Sequence, residues 1–197
     1  FGIEREIKVL SNAVHPKPVN LPSRGRKKYD LIVVARLVRW KRVDLSLEVA
    51  SKLNFRIAII GDGPELKNLK KISENLRVDV DFLGSKSESE TQIYFKISEN
   101  FIQLSEYEGM SYSILQAMNN GLLVICSKIK ANLEVVSHMK NGFVFDQNDF
   151  DNSISLLKLL LSNKNQVEEI IRNAKADIIN NYNLKNQVDY FESLIKK

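Results

Sequence analysis

Short apolar runs rich in β-branched residues recur along the chain, each followed by a polar turn and a stretch with helical spacing. LIVVA (31–35), FRIAIIG (55–61), VDVDFLG (78–84), NFIQLS (100–105), LLVICS (122–127) and GFVF (142–145) read as six strands. Runs with little polar alternation are the mark of strands buried on both faces. Between them, Val43, Leu45, Leu47, Val49, Ala50 and Leu53 supply an apolar stripe that predicts a helix over 41–53. Pro64 suits the first turn of a second helix. Ile93, Tyr94, Phe95 and Ile97 mark a third, and a fourth runs from Ser111 to Asn120 and stops at Gly121. Residues 131–138 predict a fifth, and from Asp149 onward the chain reads as helical with one break near Asn183.

Strands alternating with helices imply an α/β fold, a parallel sheet with both faces covered. Six of them fit the doubly wound, Rossmann-like order 3-2-1-4-5-6, whose ligand crevice lies at the carboxyl ends of strands one and four. Those ends carry Ala35-Arg36-Leu37 and Ser105-Glu106-Tyr107-Glu108-Gly109, polar segments behind apolar strands. The hydrophobic pattern thus nominates a site before any motif is considered. Residues 1–30 hold Pro16, Pro18 and Pro22, show little periodicity and read as a connector. Residues 31–182 read as the domain, and 183–197 as a C-terminal helix.

With 197 residues, 44% of them hydrophobic, the chain can build one full domain with a sizeable core. No apolar run is long enough to span a bilayer, and no signal-peptide pattern opens the chain. Phe1 in place of Met reads as the start of a fragment or processed piece. The one cysteine, Cys126, lies inside LLVICS. It excludes a disulfide framework, makes a poor nucleophile and leaves a reducing cytoplasm as the default location. Net charge is +5, and basic residues are interspersed with acids apart from Arg24-Gly25-Arg26-Lys27-Lys28. That cluster reads as a solvated loop, or as a surface for anionic substrate or anionic lipid at the inner face of a membrane. A nucleic-acid partner is not expected, since no recognised module or basic-aromatic interleaving is present.

Four segments in order carry a resemblance: ARLVRWKRVDLSLEVA (35–50), RIAIIGDGPELKNLKK (56–71), VDFLGSKSESETQIYFKISENFIQLSEYEGMSYSILQAMNNGLLVICS (80–127) and EVVSHMKNGFVFDQND (134–149). Together they resemble the C-terminal domain of glycosyltransferase family 4, a retaining group with the GT-B fold. The resemblance covers residues 31–182, and IKVLSNAVH (7–15) is similar to the family's segment leading in from its first domain. It implies the nucleotide-sugar-binding half of an enzyme that moves a sugar from a nucleotide-diphosphate sugar to a glycan or lipid-linked acceptor. The acceptor would be held mainly by a missing N-terminal domain, on which residues 183–197 would pack. Family frequency points to UDP, to polysaccharide biosynthesis and to chemistry without a metal cofactor.

The family's diphosphate-binding Arg and Lys fall on Arg36 and Lys41. A departing nucleoside diphosphate develops negative charge on its phosphate oxygens, which preorganised cations and helix amides stabilise without solvent reorganisation. Arg suits a forked contact and Lys a compact point charge. Without the family, both read as surface cations opening a helix, as Arg39 and Arg42 do. In EGMSYSILQAM the family's two glutamates, seven residues between them, fall on Glu108 and Gln116. The first contacts hydroxyls of the transferred sugar, and the second accepts from the ribose hydroxyls. Gln116 keeps an acceptor oxygen but loses the charge, which implies weaker ribose binding. Gly109 admits close backbone approach, and Met110 and Ser111 lie where main-chain N–H groups face sugar and phosphate. Gly61 and Gly63 resemble the family's turn beside the donor, and Gly84 its glycine near the base.

Asp79-Val80-Asp81 has the spelling of a metal-binding Asp-x-Asp. It precedes the end of its strand without companion ligands and reads as solvent-facing edge residues. His15 and His138 stand alone and take no catalytic role. The resemblance implies front-face attack by the acceptor hydroxyl, assisted by a donor phosphate oxygen and needing no protein nucleophile. A second reading, a nucleotide-sugar-binding module without turnover, is motivated by Gln116. A third, a GT-B-fold epimerase or phosphorylase, has no base cluster or cofactor-lysine pattern behind it.

Overall fold

A computed structural model of the chain describes residues 11–17 and 27–195. The expected strands form one sheet: β1 (Tyr29–Val34), β2 (Ile57–Ile60), β3 (Val80–Gly84), β4 (Ser98–Gln103), β5 (Leu123–Ser127) and β6 (Phe143–Phe145). Their order is β3-β2-β1-β4-β5-β6 and every pairing is parallel. Each crossover between them carries helix: α1 (Val43–Leu53), α2 (Leu66–Leu76), α3 (Glu88–Lys96), α4 (Tyr112–Asn119) and α5 (Lys130–Leu133). Beyond β6 come α6 (Phe150–Ser162), α7 (Lys164–Asn181) and α8 (Leu184–Ile195).

The alternation of side chains along each strand divides the core in two. Leu31, Val33, Ile57, Ile59, Ile102, Ile125 and Phe143 face α1, α2 and α6. Ile32, Ala58, Ile60, Phe101, Val124 and Cys126 face the other way, against α3 and α4. α7 feeds both, with Val167, Ile170 and Ile171 in the first core and Ala174 and Ile178 in the second. Each fully buried aliphatic or aromatic side chain contributes roughly 1.5–3 kcal/mol. Burial also pushes the Cys126 thiol up to about 12, so at neutral pH it is a packing group.

Element boundaries depart from expectation in five places. β1 begins at Tyr29, inside the stretch read as connector, and β4 begins at Ser98. A 3-10 turn over Arg39–Lys41 precedes α1, so Lys41 sits in a tight turn ahead of the helix. α5 is one turn long, where 131–138 was expected to be helical. The long C-terminal helix is also split at Asn163, whose side chain accepts from the Gln166 backbone N–H at 3.2 Å and caps α7. Segment 11–17 lies against the domain, with a parallel bridge from the buried Val14 to Asn183. Arg24, Gly25 and Arg26 of the basic cluster lie outside the described residues.

At the amino ends of β1–β3 the Tyr29 hydroxyl donates to Asp81 Oδ2 at 2.6 Å, and Arg56 Nη2 to the same oxygen at 3.2 Å. The Tyr29 hydrogen bond first, then the Arg56 charge, hold the Asp81 carboxyl below the usual range. Asp81 is thus a strand-tying residue rather than a solvent-facing one, while Asp79 is exposed as expected. No helix among the described residues is long and apolar enough to cross a membrane.

Candidate functional site

The carboxyl ends of β1 and β4 bring together the loops that the strand order nominated. In the loop after β1, Leu37 and Val38 are buried while Arg36, Arg39 and Trp40 are exposed. Leu37 is held on both backbone groups, its N–H to Asp62 O at 2.9 Å and its carbonyl to Glu65 N at 3.0 Å. The turn after β2 can approach this closely only because it carries glycine. A Cβ at Gly61, whose φ is +135°, would stand 1.8 Å from Ala35 O, and one at Gly63 would stand 2.3 Å from Leu37 O. Gly61 and Gly63 therefore seat the loop that presents Arg36.

From the β4 side comes Glu108. Lys41 Nζ lies 2.6 Å from Glu108 Oε1, with 21% and 11% of the two side chains exposed. The Ser105 hydroxyl donates to the same oxygen at 2.7 Å. Ser105 is itself anchored, since its carbonyl accepts from Ser127 Oγ at 2.6 Å, and Asn132 Nδ2 braces Ser127. Gln147 Nε2 donates to Leu104 O one residue earlier. The two loops are tied directly: Glu106 N donates to Trp40 O at 2.8 Å, and the Trp40 and Tyr107 rings stack at 5.7 Å. Arg42, expected to be solvated, instead pairs with Asp44 at 3.0 Å and Glu106 at 3.2 Å. Those partners raise its pKa, chiefly through Asp44. Arg36 and Arg39 form no ion pair with any described residue.

Ser111 caps α4, accepting from Ile114 N at 3.4 Å and donating to Gln103 Oε1 at 2.8 Å. Among the described residues the backbone N–H groups of Gly109, Met110 and Ser111 have no acceptor, which leaves donors at a helix N-terminus, where negative charge is favoured. The Met110 carbonyl and sulfur receive hydrogen bonds from Asn12. A Cβ at Gly109 or at Gly84 would meet nothing within 4 Å, so both border open space. Gln116 is buried on α4, and its Nε2 donates to Glu88 Oε1 at 2.8 Å. Tyr112 OH donates to the same oxygen at 3.3 Å. Burial, then the Glu88 charge, raise the Tyr112 phenol above its ordinary pKa.

Glu88 and Tyr112 were not anticipated from the sequence, and Ser105 was named only as part of the segment after β4. The capping box Ser87–Glu90 was a usable signal for the α3 start, and hence for Glu88 on its first turn. Nothing local linked Glu88 to Gln116. Asp79 lies before β3 and Asp81 is tied to Tyr29 and Arg56 at the amino ends, away from this cluster. His138 Nδ1 accepts from Val144 N, and burial lowers its pKa. Among the described residues no group of three or more His, Cys, Asp or Glu could hold a metal ion. A cleft of about 720 Å³ beside Lys28, Arg56, Arg77 and Asp79 lies at the amino ends of the strands. Another of about 510 Å³ opens beside Arg39, Arg42 and Glu106. Convergent polar groups, rather than cavity size, place the candidate site around Lys41 and Glu108.

Among characterised proteins, UDP-Gal:alpha-D-GlcNAc-diphosphoundecaprenol alpha-1,3-galactosyltransferase of Escherichia coli is 30% identical over 139 residues. That match covers 69% of this chain and 35% of the relative. The chain spans about a third to a half of the length of the first curated relatives it matches. A crystal structure of a TarM variant from S. aureus, in complex with fondaparinux, alpha-GlcNAc-glycerol and UDP, superposes with a TM-score of 0.82 at 22% identity. It matches 99% of this chain and 41% of its own. The C-terminal domain of the glycosyl transferase group 1 family protein LpcC from Francisella tularensis superposes at 0.72 and 20% identity. There 86% of this chain is matched to 96% of that one. At such identities the two structures show the fold, one half of a GT-B arrangement. The sequence profile of a family supplies the membership: matched over residues 20–177, this chain belongs to the glycosyl transferases group 1 family.

Proposed function

We propose that this chain is the donor-binding half of a retaining glycosyltransferase, and that the crevice between the ends of β1 and β4 takes a nucleotide-diphosphate sugar. The observation that carries the reading is the Lys41–Glu108 pair at 2.6 Å, which joins the loops after β1 and β4. Arg36 and Lys41 would hold the diphosphate, and Glu108 would accept from hydroxyls of the transferred sugar. Gly84, Gly109, Met110 and Ser111 would line the donor by backbone, and Gln116 would stand at the ribose. The E. coli relative is named for UDP-galactose and the TarM crystal contains UDP, which supports a UDP-sugar here.

The chemistry follows from those roles. The bond between the anomeric carbon and the β-phosphate oxygen breaks, and its electron pair stays on the diphosphate. Arg36, Lys41 and the α4 N-terminus meet that charge as it develops. The acceptor hydroxyl forms the new bond on the same face, and its proton passes to the departing phosphate oxygen, so no protein nucleophile is needed. The acceptor, glycan or lipid-linked, would be bound by an N-terminal domain. Against that domain α8 would pack its exposed Val188, Tyr190, Phe191 and Ile195. A lipid-linked acceptor fits a cytoplasmic enzyme working at the inner face of a membrane. Gln116 favours a second reading, binding without turnover, and donor-dependent product formation by the full-length protein separates the two.

The diphosphate assignment is tested by calorimetry. Arg36→Ala should weaken nucleoside-diphosphate binding by about 1.5–3 kcal/mol, the scale of a lost hydrogen bond to a charged group. Arg39→Ala, also exposed and without an ion pair among the described residues, should change it far less. Equal losses would overturn the placement of the phosphates.

A further inference from the structure

Gln116 and Glu88 are 28 residues apart in sequence yet share a hydrogen bond of 2.8 Å at the carboxyl end of the sheet. Gln116 is buried on α4 and Glu88 is exposed on the first turn of α3. The amide nitrogen of Gln116 and the hydroxyl of Tyr112 both donate to Oε1 of Glu88. Among the described residues, Oε2 receives no hydrogen bond. A Gln that commits its N–H group to a carboxylate keeps its carbonyl oxygen as an acceptor. The pair therefore leaves a carboxylate oxygen and an amide oxygen as acceptors on two hydrogen-bonded side chains, with the negative charge on α3.

The support under Glu88 is rigid. Ser87 caps α3, its Oγ accepting from Glu90 N at 3.3 Å, while Glu90 Oε2 accepts from Ser87 N at 2.9 Å. A carboxylate on a capped first turn is favoured by the helix dipole. Two such acceptors, one of them charged, match a ligand presenting two vicinal hydroxyls, and they bind it more strongly than an amide alone.

We infer that Glu88 is a sugar-specificity residue of this site: with Gln116 it recognises the cis-diol of a ribonucleotide, and it supplies the charge that residue 116 lacks. The inference rests on the donor-site reading above. It also revises what residue 116 can do alone. Gln116→Glu would set a second carboxylate at hydrogen-bond distance from Glu88, so by itself that change should weaken binding.

The test is calorimetry on this chain with UDP, GDP and ADP, each beside its 2′-deoxy counterpart. Glu88→Gln should lower affinity for the preferred ribonucleotide about tenfold, the scale of one charge-assisted contact, and leave the deoxynucleotide nearly unchanged. Adding Gln116→Glu to that variant moves the charge from α3 to α4. It should return ribonucleotide affinity to within about threefold of the starting protein, since the coupled pair is restored. Equal losses for both sugars in Glu88→Gln, or a double variant no better than the single, would overturn the role of Glu88. A starting protein that binds diphosphates without preferring ribose removes this inference and leaves the donor site standing. A starting protein that binds none of the six ligands removes both.

Discussion

Asp81 and Tyr29 show what one hydrogen bond does at the end of the sheet away from the candidate site. The hydroxyl of the fully buried Tyr29 holds Asp81 Oδ2 at 2.6 Å, and the carboxyl titrates below its ordinary range as a result. A depressed folded-state pKa gives stability that is present above the unfolded value, near 3.9 for Asp, and lost as pH falls through the folded value. Tyr29→Phe removes the main cause of that depression. At neutral pH the variant should be less stable by about 1 kcal/mol, the net worth of a typical hydrogen bond. Below about pH 4 the gap should narrow, because protonated Asp81 has lost the same advantage in both proteins. Denaturant melts between neutral pH and acid read this directly, and a gap independent of pH would detach Asp81 from Tyr29. Paired side chains elsewhere differ in kind. Lys41–Glu108 is the least exposed ion pair of the candidate site, whereas Glu106 stands half exposed in its bridge to Arg42. Exposed pairs of that sort contribute little.

Between elements, the contact that positions the site is backbone against backbone. The turn after β2 touches the loop after β1 so closely that no side chain fits between them: Ala35 O and Leu37 O occupy the places where Cβ atoms of residues 61 and 63 would go. Gly61→Ala and Gly63→Ala should each cost more than about 2 kcal/mol, because neither backbone segment can move away without breaking its hydrogen bonds. Both should also lower nucleotide affinity, since the displaced loop carries Arg36. Gly84→Ala is the control. Its φ of +68° is left-handed but its surroundings are open, so only strain of about 1 kcal/mol is expected. Chemical denaturation of the three variants gives the ranking, and a Gly61→Ala as mild as Gly84→Ala would refute the close-approach account.

Over the whole molecule the two ends of the parallel sheet divide their work. The amino ends carry Tyr29, Arg56 and Asp81, which tie strands together, and the carboxyl ends carry the convergent cations, acids and open amides. If the diphosphate is neutralised by Arg36, Lys41 and the α4 N-terminus, a chelator should leave nucleotide affinity and melting temperature unchanged. Binding that disappears with chelator, returns with magnesium or manganese, and is lost in Asp79→Ala or Asp81→Ala would move the site to the opposite end of the sheet.

Periodicity along the chain was enough for six strands and, with the doubly wound order, for the topology of the sheet. Strands buried on both faces announce themselves as apolar runs, and the doubly wound order then leaves one switch point. The family resemblance singled out Arg36, Lys41, Glu108 and Gln116 as candidates, and the fold brings Lys41 and Glu108 together. The partners of those residues were not legible. Lys41 meets Glu108 across 67 residues and Gln116 meets Glu88 across 28. Such meetings depend on how register and crossover helices bring separate loops to one point, and no local pattern encodes that. Arg42, a surface cation by sequence, pairs locally with Asp44, and only its contact with Glu106, 64 residues away, depends on the fold in this way. Breaks such as Asn163 escaped notice because a helix can end by a cap alone, with no glycine or proline to mark it. Local sequence decided which stretches are strand and which are helix, because burial and turn chemistry act over a few neighbours. Only the tertiary structure decided which charges face each other there, because that is set by distances between segments far apart in the chain.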